Sequence, residues 1–154
     1  MAGAQSGAQS GARRATKKPG RSGALVVAVA NQKGGVAKTT SVASLGAAFA
    51  EAGKRVLLVD LDAQACLTFS LGVDPDTVET SINEVLLGKV DAVISCADGV
   101  DLIPSVIELA GAEAQLLPRP GREYVLRTAL EPILPDYDVV LLDRSEERRV
   151  GKEC

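Results

Sequence analysis

A short apolar run, followed by a glycine pair and a lysine-threonine-threonine triplet, constrains this chain more than any other stretch. The run covers residues 25–30 and contains no polar side chain. Strands that are covered on both faces have this composition, because neither face meets water. Beyond the triplet, apolar residues recur at helical spacing from Val42 to Phe49. The stretch therefore predicts a buried parallel strand, a tight loop and a helix.

The loop has the composition of a phosphate-binding site. Gly34 and Gly35 let backbone N–H groups turn inward to form a concave nest, and the helix that begins near Lys38 adds the positive end of its dipole. We expect Lys38 to reach terminal phosphates and the Thr39 hydroxyl to coordinate a magnesium ion. The loop therefore predicts a site for phosphate groups together with Mg²⁺; ATP as the nucleotide is implied by the family resemblance described below.

Two further apolar runs end in carboxylates. The run 55–60 delivers Asp60 and Asp62 to the sheet edge where the phosphate loop lies, and the run 138–143 ends in Asp143. Carboxylates at that edge can hold the waters of a magnesium shell, and one of them can orient a water toward the γ-phosphate. The sequence thus predicts three strand ends that meet at one site.

These stretches resemble motifs of the ParA/MinD family of ATPases. The ordinary phosphate-loop pattern G-x-x-x-x-G-K-[ST] fails, because Gln32 and Ala37 stand at its glycine positions. The loop is similar instead to the family's K-G-G-x-G-K-[ST]-[ST], from which only Ala37 departs. We expect that alanine to cost little if its φ is negative, and about 1 kcal/mol or more if φ is positive. Residues 59–68 resemble V-D-x-D-P-Q-G-N-x-[ST], with Ala63 in place of Pro and Cys66 near the usual Asn.

The resemblance implies a fold and a set of site residues. The fold would be that of the P-loop NTPases, an α/β fold whose mostly parallel sheet is flanked by helices, with its C-terminal half missing here. Lys33, Lys38 and Asp62 would be catalytic, with Asp62 placing the attacking water. Thr39, Asp60 and Asp143 would hold the metal. The nucleotide would be contacted by Lys33, Gly34, Gly35, Val36, Ala37, Lys38, Thr39 and Thr40.

The family also implies partners. ATP would hold two subunits together as a homodimer, in which each Lys33 reaches the nucleotide of the other subunit. The dimer would bind DNA non-specifically, and a ParB-like adaptor would stimulate hydrolysis and release. A second cation at the γ-phosphate stabilises transition-state charge only in the dimer, which couples hydrolysis to assembly. The implied function is chromosome or plasmid partition.

Composition divides the chain into three parts. Residues 1–23 contain five basic and no acidic side chains, so the rest of the chain carries a net charge of −8 if the whole carries −3. This Ala-, Gly- and Ser-rich segment is expected to be disordered, as a solubilising tail or as a basic arm for DNA phosphates. Residues 24–143 are predicted to be the N-terminal part of the ATPase domain. Residues 144–154 resemble the translation of a sequencing-library adapter, and we expect them to be an artefactual tail after an interrupted coding sequence.

Several classes of protein are disfavoured. No run approaches the roughly 18 apolar residues of a membrane span, and the chain opens with no apolar signal segment, so a cytoplasmic protein is expected. The family resemblance further implies association with the nucleoid. Cys66, Cys96 and Cys154 have no metal-like spacing. Cysteines so placed disfavour a reductase of the nitrogenase iron-protein type. The tyrosine cluster of bacterial tyrosine kinases is not seen.

Two alternatives stay open at this point. A MinD-like or cargo-positioning ATPase would share the same core, and an amphipathic C-terminal helix would favour it. A fragment without catalysis is the other alternative. ATP turnover by this chain, measured beside a Lys38→Ala variant, would separate that fragment from an enzyme.

The remaining elements follow from periodicity and capping signals. Helices are predicted at 38–52, at 107–117 and, as one continuous element, at 122–134. Ser81 and Glu84 have the spacing of a capping box at the start of another helix. Short strands are predicted at 92–97 and 100–104.

Overall fold

A computed structural model describes residues 23–31, 37–88, 92–96, 99–116, 118 and 120–145. In this part of the chain the strands are β1 (Leu25–Asn31), β2 (Val56–Asp60), β3 (Ile94–Ser95), β4 (Val100–Ile103) and β5 (Val139–Ser145). The helices are α1 (Lys38–Glu51), α2 (Cys66–Ser70), α3 (Ile82–Leu86), α4 (Leu109–Leu116) and α5 (Val125–Leu130).

The described strands form one sheet in the order β1-β5-β2-β4-β3. Every neighbouring pair is parallel except β3 and β4, which are antiparallel. Successive parallel strands require crossover connections, and helices supply them here. The prediction of an α/β fold with a mostly parallel sheet flanked by helices is confirmed.

The core lies on both faces of the sheet, because β2 is covered on each side. Leu57 and Val59 pack on one face with apolar residues of α3, α4 and α5. Val56 and Leu58 point the other way and pack with α1 and α2. All five residues of β2 are buried. The predicted burial of this apolar run is confirmed.

A glycine sets how closely α1 approaches the sheet. A Cβ atom built on Gly46 would lie 2.9 Å from a methyl carbon of Leu58. That distance is below ordinary van der Waals contact, so a larger residue would have to displace the Leu58 side chain. The glycine therefore lets the middle of α1 approach the sheet closely.

β1 differs from its prediction. It pairs with β5 at the edge of the described sheet, and Leu25, Val26 and Val27 are 57%, 43% and 37% exposed. The prediction of a strand buried on both faces is therefore wrong for this part of β1. An apolar run indicates that a strand can be buried, but it does not show which other elements cover the strand.

Local signals predicted most of the helices, with one error. α1 and the capping box of Ser81 and Glu84 are confirmed. The single helix predicted at 122–134 is wrong: a 3₁₀ turn (Arg122–Tyr124) precedes α5, and a second 3₁₀ turn (Leu134–Asp136) follows it. Pro132 has no N–H to donate and its ring opposes a continuing helix, so α5 ends at Leu130.

Among the helices of the described part of the chain, none has the length and apolar character needed to cross a membrane.

Candidate nucleotide-binding site

Three strand ends meet at one edge of the sheet. In the β-ladder, Asp143 lies opposite Val29 of β1 and opposite Asp60 of β2. The N–H of Leu61 donates a hydrogen bond of 2.9 Å to the carbonyl oxygen of Asp143, which ties the chain after β2 to β5. Asp60 and Asp143 therefore occupy neighbouring positions at the carboxyl ends of their strands, where α/β sheets bind ligands.

The β1–α1 loop is described only from Ala37 onward. The predicted nucleotide contacts of Lys33, Gly34, Gly35 and Val36 lie outside the described residues. Lys38, Thr39 and the exposed Thr40 form the first turn of α1, so the predicted helix start is confirmed.

Ala37 adopts a left-handed backbone conformation, with φ 55° and ψ 32°. Its carbonyl oxygen accepts hydrogen bonds from the N–H and the hydroxyl of Ser41, at 2.9 and 2.8 Å, which fixes it as the N-cap of α1. Left-handed alanine costs roughly 1–2 kcal/mol, because Cβ crowds the following carbonyl. Of the two outcomes expected for alanine at this position, the costly one for a positive φ therefore applies.

Ala65 is the second non-glycine residue with positive φ in the described part of the chain, with φ 52°. It caps α2, and it stands at the Gly position of V-D-x-D-P-Q-G-N-x-[ST]. Both left-handed alanines thus replace a glycine of the resembled motifs.

Thr39 and Asp143 join the first turn of α1 to the end of β5. The Thr39 hydroxyl lies near the Asp143 carboxylate, which is 2% exposed. Burial raises the pKa of Asp143, the Thr39 hydroxyl lowers it, the Asp62 charge raises it and the Lys38 ammonium lowers it. Lys38 and Asp62 therefore both act on this carboxylate.

Asp60 is fully buried, and both of its carboxylate oxygens accept hydrogen bonds. Oδ1 accepts from the N–H of Asp62 at 3.0 Å. Oδ2 accepts from the N–H of Thr68 at 2.9 Å and from its hydroxyl at 2.7 Å. Burial raises the pKa of Asp60 to about 6 despite these donors. The predicted metal role of Asp60 stays a prediction, and its observed contacts hold the β2–α2 loop.

Asp62 lies in that loop and is half-buried. Its Oδ1 accepts a hydrogen bond of 3.0 Å from the N–H of Gln64, and its carbonyl accepts one of 2.9 Å from Ala65. Burial raises the pKa of the neighbouring Cys66 thiol, and the charges of Asp62, Asp60 and Asp143 raise it further. The predicted carboxylates are therefore close enough to influence one thiol.

The donor set at this edge fits magnesium held mainly by phosphate oxygens and water. The described residues contain no group of three or more His, Cys, Asp or Glu side chains that could hold a metal by itself. Mg²⁺ usually takes one or two protein ligands together with substrate phosphates and several waters. The neighbouring Thr39 hydroxyl and Asp143 carboxylate are a donor set of that size.

Sequence reasoning missed two residues that position the site. The Thr68 hydroxyl donates a hydrogen bond to Asp60. Oγ1 of Thr68 also accepts a 3.0 Å hydrogen bond from the N–H of Ser105, just beyond β4. The Ser105 hydroxyl is buried and has no partner among the described residues. A signal for Thr68 was present, since it occupies the final [ST] position of the second motif. No comparable signal marked Ser105.

Comparisons with known proteins agree with these motifs. The AAA domain family matches residues 24–150. The sporulation initiation inhibitor protein Soj of Bacillus subtilis is 42% identical over 122 residues, which are 77% of this chain and 48% of Soj. The chromosome partitioning protein ParA of Caulobacter vibrioides is 43% identical over 124 residues, covering 77% of this chain and 46% of ParA.

A solved structure gives the same result at the level of the fold. It is a cobyrinic acid a,c-diamide synthase from Mycobacterium smegmatis with bound ATP analogue and magnesium, 59% identical, with a TM-score of 0.77. The match covers 79% of this chain and 51% of that one, so the chain spans about half the length of the relatives it matches. The sheet of this chain is the portion of the P-loop NTPase fold that lies within the matched half. The chain belongs to the AAA domain family and, within it, to the ParA/MinD group.

Proposed function

We propose that this chain carries the nucleotide-binding part of a ParA-type ATPase that binds ATP with Mg²⁺ and hydrolyses it. The observation that carries the proposal is the proximity of the Thr39 hydroxyl, in the first turn of the phosphate-loop helix, to the Asp143 carboxylate at the end of β5. The same pairing of a loop hydroxyl with a strand-end carboxylate holds Mg²⁺ in P-loop NTPases.

Each proposed role follows from the chemistry of its side chain. A bound magnesium ion would supply charge neutralisation at the phosphates, and the Thr39 hydroxyl and the Asp143 carboxylate would hold it. Lys38 neutralises the terminal phosphates, and Asp62 orients the attacking water. Asp60 contributes by fixing the loop that carries Asp62, since its Oδ1 accepts the Asp62 N–H. Lys33 is proposed to act on the nucleotide of a second subunit.

The proposed cellular role is partition of chromosomes or plasmids. It is supported by the similarity to Soj and ParA, whose names describe sporulation inhibition and chromosome partitioning. ATP-dependent homodimers, non-specific binding to nucleoid DNA and stimulation by a ParB-like adaptor belong to this proposal. The basic segment 1–23 supports the DNA contact through its charge. The division of the chain into segments 1–23, 24–143 and 144–154 is likewise proposed.

A second candidate function is favoured by the solved structure with 59% identity. Its name describes a diamide synthase, an enzyme that converts carboxylates of cobyrinic acid to amides. The nucleotide site would be shared, because that structure holds an ATP analogue and magnesium. DNA-stimulated ATP turnover would favour partition, whereas turnover that requires cobyrinic acid and a nitrogen donor would favour the synthase.

The central test measures ATP binding and phosphate release by this chain. Fluorescent ATP should bind in the presence of Mg²⁺, and Lys38→Ala should abolish phosphate release. Lys54→Ala is a matched control, because Lys54 is exposed just after α1. Equal, background-level release by all three proteins, together with absent binding, would contradict the proposal.

A further inference from the structure

The hydroxyl of Thr68 joins three segments of the chain at one oxygen atom. Thr68 lies in α2 and is fully buried. Its O–H donates a 2.7 Å hydrogen bond to Oδ2 of Asp60, at the end of β2, and its Oγ1 accepts a 3.0 Å hydrogen bond from the N–H of Ser105, just beyond β4. Helix α2, strand β2 and the segment after β4 are therefore connected through a single side chain.

These two hydrogen bonds fix the orientation of the hydroxyl. A backbone N–H can only donate, so Oγ1 must present a lone pair to Ser105, and the single hydroxyl proton is left for Asp60. The N–H of Thr68 donates a second hydrogen bond to the same Oδ2, at 2.9 Å. One oxygen of Asp60 thus accepts two hydrogen bonds, which restrict the rotation of its carboxylate.

The held carboxylate in turn fixes the loop after β2. Oδ1 of Asp60 accepts a 3.0 Å hydrogen bond from the N–H of Asp62, and the carbonyl oxygen of Asp62 accepts one of 2.9 Å from the N–H of Ala65. Rotation of the Asp60 side chain would break the first of these bonds. The backbone position of Asp62 therefore depends on the contacts at the other oxygen of Asp60.

The other end of this chain of hydrogen bonds is anchored in the core. Pro104 and Ser105 are both buried, and the carbonyl oxygen of Pro104 accepts a 2.8 Å hydrogen bond from the N–H of Ile82, the first residue of α3. The preceding strand, β4, pairs with β2. Ser105 is therefore held by both the sheet and α3, and Thr68 connects this support to Asp60.

The Thr68 side chain does not itself reach the reacting groups. It has no exposed surface, and its hydroxyl is engaged by Asp60 and Ser105. The phosphates are expected at the first turn of α1, which supplies neither of these partners. Any effect of Thr68 on the reaction therefore passes through Asp60 to Asp62.

We propose that Thr68 is a positioning residue for ATP hydrolysis. Its hydroxyl connects Ser105 to Asp60, and Asp60 holds the backbone of Asp62 where the Asp62 carboxylate orients the attacking water. Loss of the hydroxyl loosens Asp62 and slows hydrolysis, whereas ATP affinity, which depends on the first turn of α1, is retained. The effect on hydrolysis rests on the proposed function, but the effect on the loop does not.

The first experiment measures the loop without nucleotide, so that its outcome is independent of ATP hydrolysis. Amide hydrogen exchange of the full chain is followed by NMR at the Asp62 N–H and at the amides of β2, which report global opening. Thr68→Val should speed exchange at Asp62 about tenfold or more beyond any change in β2, as expected for losing a hydrogen bond to a charged group. Thr68→Ser keeps the hydroxyl and should exchange close to the wild-type rate.

Thr77→Val is the matched control. It removes the same hydroxyl from an exposed threonine, whose Oγ1 donates to the carbonyl oxygen of Asp74 and not to Asp60. Exchange at Asp62 should stay at the wild-type rate in this variant. If Thr68→Val does not fold, Thr68→Ala replaces it, because the smaller side chain also lacks the hydroxyl. Unchanged exchange at Asp62, or equal acceleration at Asp62 and in β2, would overturn the proposal.

The second experiment separates hydrolysis from nucleotide affinity. Thr68→Val should lower the rate of phosphate release from bound ATP about tenfold, with the Kd for fluorescent ATP and Mg²⁺ changed less than about twofold, and Thr68→Ser should recover the rate. Weaker ATP binding at an unchanged release rate would overturn the positioning role. Absent phosphate release by the wild-type chain would contradict the proposed function and with it the role in hydrolysis, whereas the exchange rates would still decide the link from Thr68 to Asp62.

Discussion

The Thr39 hydroxyl lies close to the Asp143 carboxylate, so the start of α1 meets the end of β5 at the sheet edge. Parallel register places Asp143 beside Asp60 as well. The proposed Mg²⁺ site therefore depends on a contact between residues that lie far apart in the sequence.

Replacing Thr39 by valine removes the hydroxyl and preserves the shape of the side chain. We expect Mg²⁺-dependent binding of fluorescent ATP to weaken about tenfold or more, since hydrogen bonds to charged groups contribute roughly 1.5–3 kcal/mol. Titrations with Mg²⁺ and with a chelator measure the effect. Thr39→Ser keeps the hydroxyl and should bind close to the wild-type level. Equal affinities of the valine and serine variants would contradict the role of the hydroxyl.

Ala37→Gly should stabilise the protein, because glycine tolerates the left-handed backbone at this position. The gain in the free energy of unfolding should be about 0.5–1 kcal/mol, since the flexibility of glycine in the unfolded chain offsets part of the relieved strain. Ala65→Gly should gain less, because Ala65 is 3% exposed and the change also removes a buried methyl group worth about 0.8 kcal/mol. Urea denaturation measures both variants.

Ala48→Gly is the matched control for these substitutions. Ala48 is exposed within α1, so glycine there should lower the free energy of unfolding by about 1 kcal/mol. Loss of stability in all three variants would show that the left-handed alanines carry no strain.

The raised pKa of Asp60 gives stability a defined pH dependence. Its pKa rises from the ordinary 3.8 to about 6 in the folded protein, so between these values the folded state binds more protons than the unfolded state. The contribution of Asp60 to the free energy of unfolding should therefore fall as pH rises from about 4 to 6. Asp60→Asn should remove this part of the slope in urea denaturation.

Thr68→Val tests the origin of that pKa. The Thr68 hydroxyl donates to Asp60 at 2.7 Å and lowers its pKa, so removing it should raise the pKa above the wild-type value. Carboxyl ¹³C NMR titration reports the pKa directly. Thr68→Ser should leave it nearly unchanged, and an unchanged pKa in the valine variant would exclude the hydroxyl as its cause.

Deletion of residues 1–22 tests the proposed DNA contact of the basic segment. Loss of five cations should lower the salt dependence of DNA binding by a slope of about 4.5 in log affinity against log salt concentration. Replacing the five side chains by glutamine at full length should give the same change. If both proteins retain the wild-type slope, the segment does not contact DNA.

The local motifs were readable from sequence because their chemistry is local. The start of α1, the capping box of Ser81 and Glu84, and the aspartates at the strand ends all follow from adjacent residues. Strand order was not readable, since the apolar runs of β1 and β2 look alike although one lies at an edge and the other is central. The three hydrogen bonds of Asp60 depend on tertiary packing, so sequence assigned it to metal without revealing them.

Backbone conformation was the other feature that could not be predicted from the sequence. Sequence identified Ala37 as a departure from a glycine pattern, but only the structure shows the positive φ that makes the departure costly. In the second motif the sequence pointed to Ala63 and Cys66, and Ala65 was not singled out. Ala37 and Ala65 each replace a motif glycine, so such a replacement is the sequence signal for both strained helix caps.

The edge position of β1 has a consequence for handling the protein. Within the described residues β1 pairs with β5 alone, and its outer side presents peptide groups together with exposed Leu25 and Val26. Such a border is a template for recruiting an additional extended segment. Self-association should thus rise with protein concentration, and a tethered segment that pairs with this border in register should keep the chain monomeric.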